Sequence, residues 1–260
     1  IYAEYKSRLQ EELKEQILPD GVHYERSIMY HKIVLEDVMR AAKGVKDADQ
    51  LFYQELSALL QPMTDAMYSL EEGMGHTPLF NDSGDNVARS MLGLLAALRE
   101  EFSIAPVNKN AFPDAGYYCL RHQGLKILMD TGEIAPDYMP GHGHCDGLSF
   151  ELSVDQHPVF VNSGTGQYQG SLRGYFRSTR AHNTVVIEGE EQSECWGEHR
   201  VARRISQVSG DCGADWIHGE LVTATGRQQK RTILMDDQKV IVKDQVTGSA
   251  QGYLHLAPDY

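Results

Sequence analysis

Residues 141–152 read Gly-His-Gly-His-Cys-Asp-Gly-Leu-Ser-Phe-Glu-Leu, placing His142, His144 and Asp146 within five positions. Imidazole is the side chain that exchanges protons near neutral pH, and two imidazoles with a carboxylate also form a common donor set for zinc. Residues two apart on an extended segment face one side, so the three share a parity that a loop would splay. The cluster runs into an alternating apolar pattern. A strand there would fix geometry while the preceding loop gives access. From these residues alone, proton transfer, metal binding and simple hydrogen bonding are all open.

Other candidates are dispersed. Asn162 closes a strand-like run and His182 lies twenty residues further on. Histidines at the ends of adjacent strands can converge on zinc with an oxygen donor, although such spacing more often serves hydrogen bonding. Arg173, Arg177 and Arg180 offer guanidiniums that grip carboxylates or sulfates bidentately; the alternative is a solvated loop balanced by Glu188, Glu190 and Glu191. Tyr24 and Tyr30, beside His23 and His31, offer phenolic acid/base groups or a packed helix interface. Asn81-Asp82-Ser83-Gly84-Asp85 lacks EF-hand spacing and reads as a turn and helix cap. Gly164-Thr165-Gly166 is too short for a phosphate loop.

The elements that must position these groups change character along the chain. Tyr2, Tyr5, Leu9, Leu13 and Ile17 make an amphipathic stripe that ends at Pro19-Asp20-Gly21. Ser27 is a candidate N-cap for a second helix with Ile33, Val34, Val38 and Met39 inward. Residues 48–71 predict a third helix, or two, because Pro62 falls where a break or kink is expected. Residues 86–100 predict a fourth, with Val87, Met91, Leu94, Leu95 and Leu98 on one stripe. After Pro106 short alternating runs take over: 117–121, 125–130, 148–154, 159–162, 184–187, 202–208, 216–222, 231–235 and 240–246. Asp155-Gln156 and Asp236-Asp237 read as hairpin turns. Helices followed by gathered strands predict two domains, with the boundary near 102–112.

Composition bounds the function. The 260 residues are 41% hydrophobic and 23% charged, a globular balance. A net charge of -13 argues against nonspecific nucleic-acid binding, which needs a basic face. No apolar run approaches a membrane span. Cys119, Cys145, Cys195 and Cys212 form no CxxC pair and read as separate, mostly buried thiols. The ends at Ile1 and Tyr260 read as cut from a longer protein.

The 141–152 segment resembles the heparinase II/III-like polysaccharide lyases. So do Tyr175-Phe176-Arg177-Ser178-Thr179-Arg180-Ala181-His182-Asn183-Thr184-Val185-Val186-Ile187, with Gln192-Ser193-Glu194 following, and Asp20-Gly21-Val22-His23-Tyr24-Glu25-Arg26-Ser27 with Tyr30-His31. Three blocks in the same order are more specific than any one. The resemblance implies an α+β multidomain chain: part of an α/α toroid over 1–104, then the start of an antiparallel β-sandwich domain over 105–260. It implies β-elimination on a uronate-containing acidic polysaccharide, and a periplasmic or secreted location. Under it His142 stands at the catalytic histidine. Tyr30 stands at the tyrosine that acts as acid, or as acid and base, with Tyr24 the rival. His144, Asn162 and His182 fall on a structural zinc site whose middle ligand is usually Asp. Asp146 then braces the loop. Arg26, Arg177 and Arg180 become candidates to hold the polyanion. The residue that neutralises the uronate carboxylate is placed upstream of Ile1. A noncatalytic glycan-binding protein of this fold and a uronyl C5-epimerase are the alternative readings.

Overall fold

A computed structural model describes residues 1–236 and 239–258. Four helices come first: α1 (Tyr2–Gln16), α2 (Ile28–Val45), α3 (Gln50–Glu71) and α4 (Met91–Phe102). Ser27 caps α2 as expected, its Oγ accepting from the Tyr30 amide at 3.3 Å. Leu35 joins Val38, Met39 and Ala42 on the buried face of α2, while Ile33 and Val34 are only half-buried. The helices share a core that includes Leu13, Leu35, Phe52, Leu56, Leu60 and Leu98.

Three expectations for the helices are corrected. Tyr2 and Tyr5 stand exposed at the start of the α1 stripe, and only Leu13 and Ile17 are buried. α3 runs through Pro62 unbroken. Buried neighbours Met63, Ala66 and Met67 clamp the helix after the proline, and His31 Nε2 lies 2.9 Å from the Met63 carbonyl. α4 begins at Met91, because Ser90 caps it by accepting from the Gly93 amide. Val87 therefore lies outside the helix, 66% exposed.

The strands follow: β1 (Ala111–Phe112), β2 (Tyr117–His122), β3 (Leu125–Asp130), β4 (Phe150–Val154), β5 (His157–Phe160), and after the short helix α5 (Arg173–Phe176), β6 (Val185–Ile187), β7 (Cys195–Trp196), β8 (Arg200–Val201), β9 (Ser206–Cys212), β10 (Trp216–Val222), β11 (Gln228–Met235), β12 (Val240–Val246) and β13 (Ala250–Gly252). β1 to β5 form an antiparallel sheet in chain order, and β9 to β12 form another. β6 pairs with β13, and β7 with β8. The two larger sheets bury one shared core, with Leu120, Ile127 and Phe150 from the first and Ile217, Leu221 and Ile233 from the second. Asp155 and Gln156 turn β4 into β5 with φ of 50° and 65°, the left-handed pair of a tight hairpin. Asp236 follows β11; its expected turn partner Asp237 lies outside the described residues.

The run 159–162 is shifted, since β5 ends at Phe160 and leaves Asn162 in a loop. The run 202–208 is shifted too, to β9 at Ser206–Cys212. A third core joins helices to sheet, with Val22, Ile28, Leu70, Phe80, Tyr117 and Leu128. It presses the α2 entrance and the loop after α3 onto the first sheet, where the histidine segment leaves it.

Candidate active site

The site is assembled at the start of α2. Ser27 Oγ donates to the Asp82 carbonyl at 3.0 Å while capping the helix, so the 81–83 segment is pinned to the turn that carries Tyr30. The Asp82 amide donates to the His142 carbonyl at 3.1 Å. The Asn81 side chain accepts from the His144 amide at 3.0 Å, and the Asn81 amide donates to Asp146 Oδ2 at 2.9 Å. This loop is thus the template on which the histidine segment lies.

His142 ends a single turn, Pro140–His142, with its side chain about one-third exposed. Its ring stacks on Tyr30, with centroids 4.8 Å apart and planes 10° apart. His142 Nδ1 lies 2.8 Å from Glu25 Oε2. In the neutral tautomer that donates from Nδ1 to this carboxylate, Nε2 is the acceptor nitrogen. The hydrogen bond to Glu25 raises the His142 pKa against the opposing effect of burial. Tyr30 hydroxyl meets Tyr168 hydroxyl at 2.8 Å. Burial first, then Tyr168, pushes the Tyr30 pKa well above the usual tyrosine value, so the phenol keeps its proton. Tyr168 and His199 complete an aromatic surround, their rings 6.3 and 6.4 Å from His142. Tyr24 is buried instead between His23 and Tyr138, 4.8 and 6.4 Å away by centroid.

A second cluster lies beneath. His144 Nε2 sits 2.8 Å from Asp82 Oδ1, and both side chains are fully buried. Arg173 grips both oxygens of Asp82, and Thr165 Oγ1 donates to Oδ1 at 2.8 Å. Burial opposes the charge on Asp82, but His144 and Arg173 outweigh it and hold the carboxyl well below its usual range. His182 is buried in front of His144, ring centroids 5.4 Å apart. His182 Nδ1 lies 3.3 Å from Asn162 Oδ1, which also accepts from Ser149 Oγ at 2.6 Å. Burial drives the His182 pKa well below the usual value, keeping the ring neutral.

Residues 105–260 match the family Heparinase II/III-like, C-terminal, and residues 4–110 match Heparinase II/III N-terminus. The chain belongs to the heparinase II/III-like family. It is 24% identical to a heparin-sulfate lyase of Pedobacter heparinus over 71% of this chain and 31% of that protein. It is 23% identical to a heparin-sulfate lyase of Bacteroides thetaiotaomicron over 96% of this chain and 41% of that protein. The chain therefore spans roughly a third to two-fifths of these relatives. Among solved structures, the heparan sulfate lyase HepC from Pedobacter heparinus superposes with a TM-score of 0.72 at 20% identity, covering 95% of this chain and 41% of that one. A heparinase III gives a TM-score of 0.76 at 18% identity, covering 95% and 41%. At such identities these superpositions show the shared fold.

The structure also places the remaining expected residues of this heparinase II/III-like chain. Asp146 groups with His144 and His182: one ligand atom from each lies within 4.8 Å of the others. Asn162 stands behind His182 as the acceptor for its Nδ1. His144 Nδ1 and His182 Nε2 are buried without hydrogen-bond partners among the described residues. Each imidazole is thus anchored through one nitrogen and bare at the other, the arrangement second-shell acceptors impose on metal-binding histidines. His144, Asp146 and His182 could together hold a metal ion.

Arg177 is buried; Arg26 is mostly buried too and reaches a surface pocket beside Asp114 and Glu133, away from His142. Arg26 Nε donates to the Ala115 carbonyl at 3.0 Å; Arg177 donates to the Gly143 and Glu198 carbonyls, both at 3.1 Å. These contacts tie up guanidinium N–H donors on backbone carbonyls, Arg177 holding the histidine segment at Gly143. Arg180 is exposed, with its carbonyl 3.0 Å from His255 Nε2.

The sequence alone gives no role to Glu25, Tyr168 and His199, reads Asp82 as part of a turn and cap, and offers Arg173 as a grip for an external anion rather than for Asp82. Glu25 lay inside a resembling block beside Tyr24, which was the available signal. Asp82 sat in a polar run that imitates an ordinary cap, and Tyr168 and His199 had no local signal.

Proposed function

We propose that this chain carries the acid/base centre of a polysaccharide lyase that cleaves a uronate-containing acidic glycan by β-elimination. The observation that carries the reading is the Tyr30–His142 stack with Glu25 behind it, two proton-transfer groups held face to face. A proton next to a carboxylate is weakly acidic, and the O4 leaving group needs a proton as it departs. His142 takes the C5 proton through Nε2, and Glu25 stabilises the resulting imidazolium. The electron pair forms the C4–C5 double bond as C4–O4 breaks, and Tyr30 protonates O4. A tyrosine with a raised pKa suits the acid better than the base, so His142 is the base. Tyr24, packed on Tyr138, is assigned no proton transfer.

The curated relatives are heparin-sulfate lyases, which makes sulfated heparan-type chains the first substrates to test. We read residues 1–104 as part of an α/α toroid and residues 105–260 as the start of a β-sandwich domain. The shared core of the two large sheets supports the second reading. His144, Asp146 and His182 would hold zinc, which would supply a fixed positive charge that stiffens the loop under His142. Arg180 is left as the exposed cation among the predicted polyanion contacts. Among the described residues no helix is long and apolar enough to cross a membrane.

The test incubates the full-length protein with heparan sulfate, alginate and hyaluronan and follows the ultraviolet absorbance of the unsaturated uronate. Absorbance that grows with wild type and is lost in His142→Ala supports the lyase. A folded protein that produces none on any uronate polymer refutes it. Deuterium uptake at C5 without cleavage would identify epimerase chemistry instead.

A further inference from the structure

Cys145 and Cys195, separated by 50 residues, are brought to 3.6 Å between sulfurs. Nothing in their spacing announced the pair. Cys145 lies between His144 and Asp146, fully enclosed, with its amide donating to the Arg177 carbonyl at 3.0 Å and its Sγ 3.3 Å from the Ser193 carbonyl. Cys195 begins β7 and is half-buried, the less enclosed residue of the two. The remaining thiols are engaged elsewhere: Cys119 Sγ faces the Ser69 carbonyl at 3.7 Å and Cys212 Sγ the Asn110 carbonyl at 3.9 Å.

A disulfide needs its sulfurs at about 2.05 Å, so small side-chain rotations totalling about 1.5 Å would close this gap. The consequence is local to the site. β7 and β8 form a hairpin, paired through Cys195–Val201 and Trp196–Arg200. Its tip carries Glu198, whose carbonyl accepts from Arg173 and Arg177, and His199, whose ring faces His142. The Cys145–Cys195 contact is therefore where the histidine segment and this hairpin meet.

We infer that Cys145 and Cys195 are an oxidisable pair whose disulfide fastens the β7–β8 hairpin to the His142–Asp146 segment. The reaction is thiol–disulfide exchange with a small-molecule disulfide such as oxidised glutathione. The Cys195 thiolate attacks one glutathione sulfur and expels a glutathione thiolate, leaving a mixed disulfide. Cys145 Sγ, 3.6 Å away, then attacks the Cys195 sulfur, gives up its proton and expels the second glutathione thiolate. Two electrons pass to glutathione, and the two cysteine protons end on the released thiols. This inference is independent of the lyase reading, since neither sulfur takes part in proton transfer.

The folded wild-type protein is incubated with oxidised glutathione, alkylated under native and then denaturing conditions, and mapped by mass spectrometry without reduction. The expected result is the loss of two of four free thiols and a peptide cross-linked through Cys145 and Cys195. Hydrogen exchange at residues 194–201 should slow on oxidation and recover with reductant. Cys195→Ser, a change at a half-exposed position, should show neither effect. Four outcomes would overturn the inference: both cysteines still alkylated, glutathione retained on Cys195, a cross-link through Cys119 or Cys212, or a cross-link that leaves hairpin exchange unchanged.

Discussion

Asp82→Asn should cost more stability than any other single-atom change near the site. Asp82 is completely enclosed, its side chain 0% exposed, and it receives Arg173, His144 and Thr165. The substitution keeps the volume and removes the charge. Arg173, 1% exposed, then stays buried with an amide in place of its counter-ion. Removing one partner of a buried pair costs about 3–5 kcal/mol, because the surviving charge remains desolvated. In a chain of this size that lowers the midpoint of thermal unfolding by about 10 °C. The measurement is urea and thermal unfolding of wild type, Asp82→Asn, Arg173→Met and the double variant. The double variant should be less destabilised than the two singles summed, because no unpaired charge remains. The pH dependence has a definite sign. The folded pKa of Asp82 is depressed, so its contribution is complete above the unfolded carboxylate pKa and is lost as pH falls through the folded value. The penalty should therefore be constant at neutral pH and shrink in strong acid. A loss below about 1 kcal/mol, or additive singles, would falsify the view that this pair holds the histidine segment in place.

The remaining predictions concern the site itself. Tyr30→Phe should lower turnover on a cleavable glycan by about 10²–10⁴-fold, the usual contribution of a general acid, with little change in unfolding midpoint. Equal turnover would return the acid role to another group. Glu25→Gln should move the acidic limb of the rate profile to lower pH, because Glu25 raises the His142 pKa and the base must be deprotonated to act. A profile that only falls in height would make Glu25 purely structural. The His142–Glu25 contact should also stabilise the fold below the unfolded histidine pKa and fade as pH rises through the raised folded value; unfolding midpoints across pH 5–9 (a range of roughly two units either side of neutrality) test this. Asp146→Asn should abolish retained zinc measured by elemental analysis, whereas Asn162→Ala should weaken affinity by about 10–100-fold, as loss of an outer-shell acceptor does. Equal, complete loss in both would make Asn162 a direct ligand.

Much was readable along the chain wherever the deciding interaction is local. The Ser27 cap, the tight Asp155-Gln156 turn and the succession of helices then strands depend on residues within a few positions of one another. The proximity of His142 and His144 follows from their two-residue spacing; their division between an exposed and an enclosed position does not, since that spacing on a strand would give them one side. Burial and long-range partners were not readable. Glu25 meets His142 across 117 residues, Asp82 meets His144 across 62, and Arg173 meets Asp82 across 91. Arg173 and Arg177 have the composition of a solvated loop, yet the fold packs them beneath the histidine segment, where their guanidiniums are spent on Asp82 and backbone carbonyls. The same holds for Pro62, which local rules make a break and which surrounding packing keeps inside a helix. Sequence by itself determined which groups can exchange protons or bind metal; tertiary structure decided which of them meet, because charge pairing and desolvation depend on neighbours that only folding supplies.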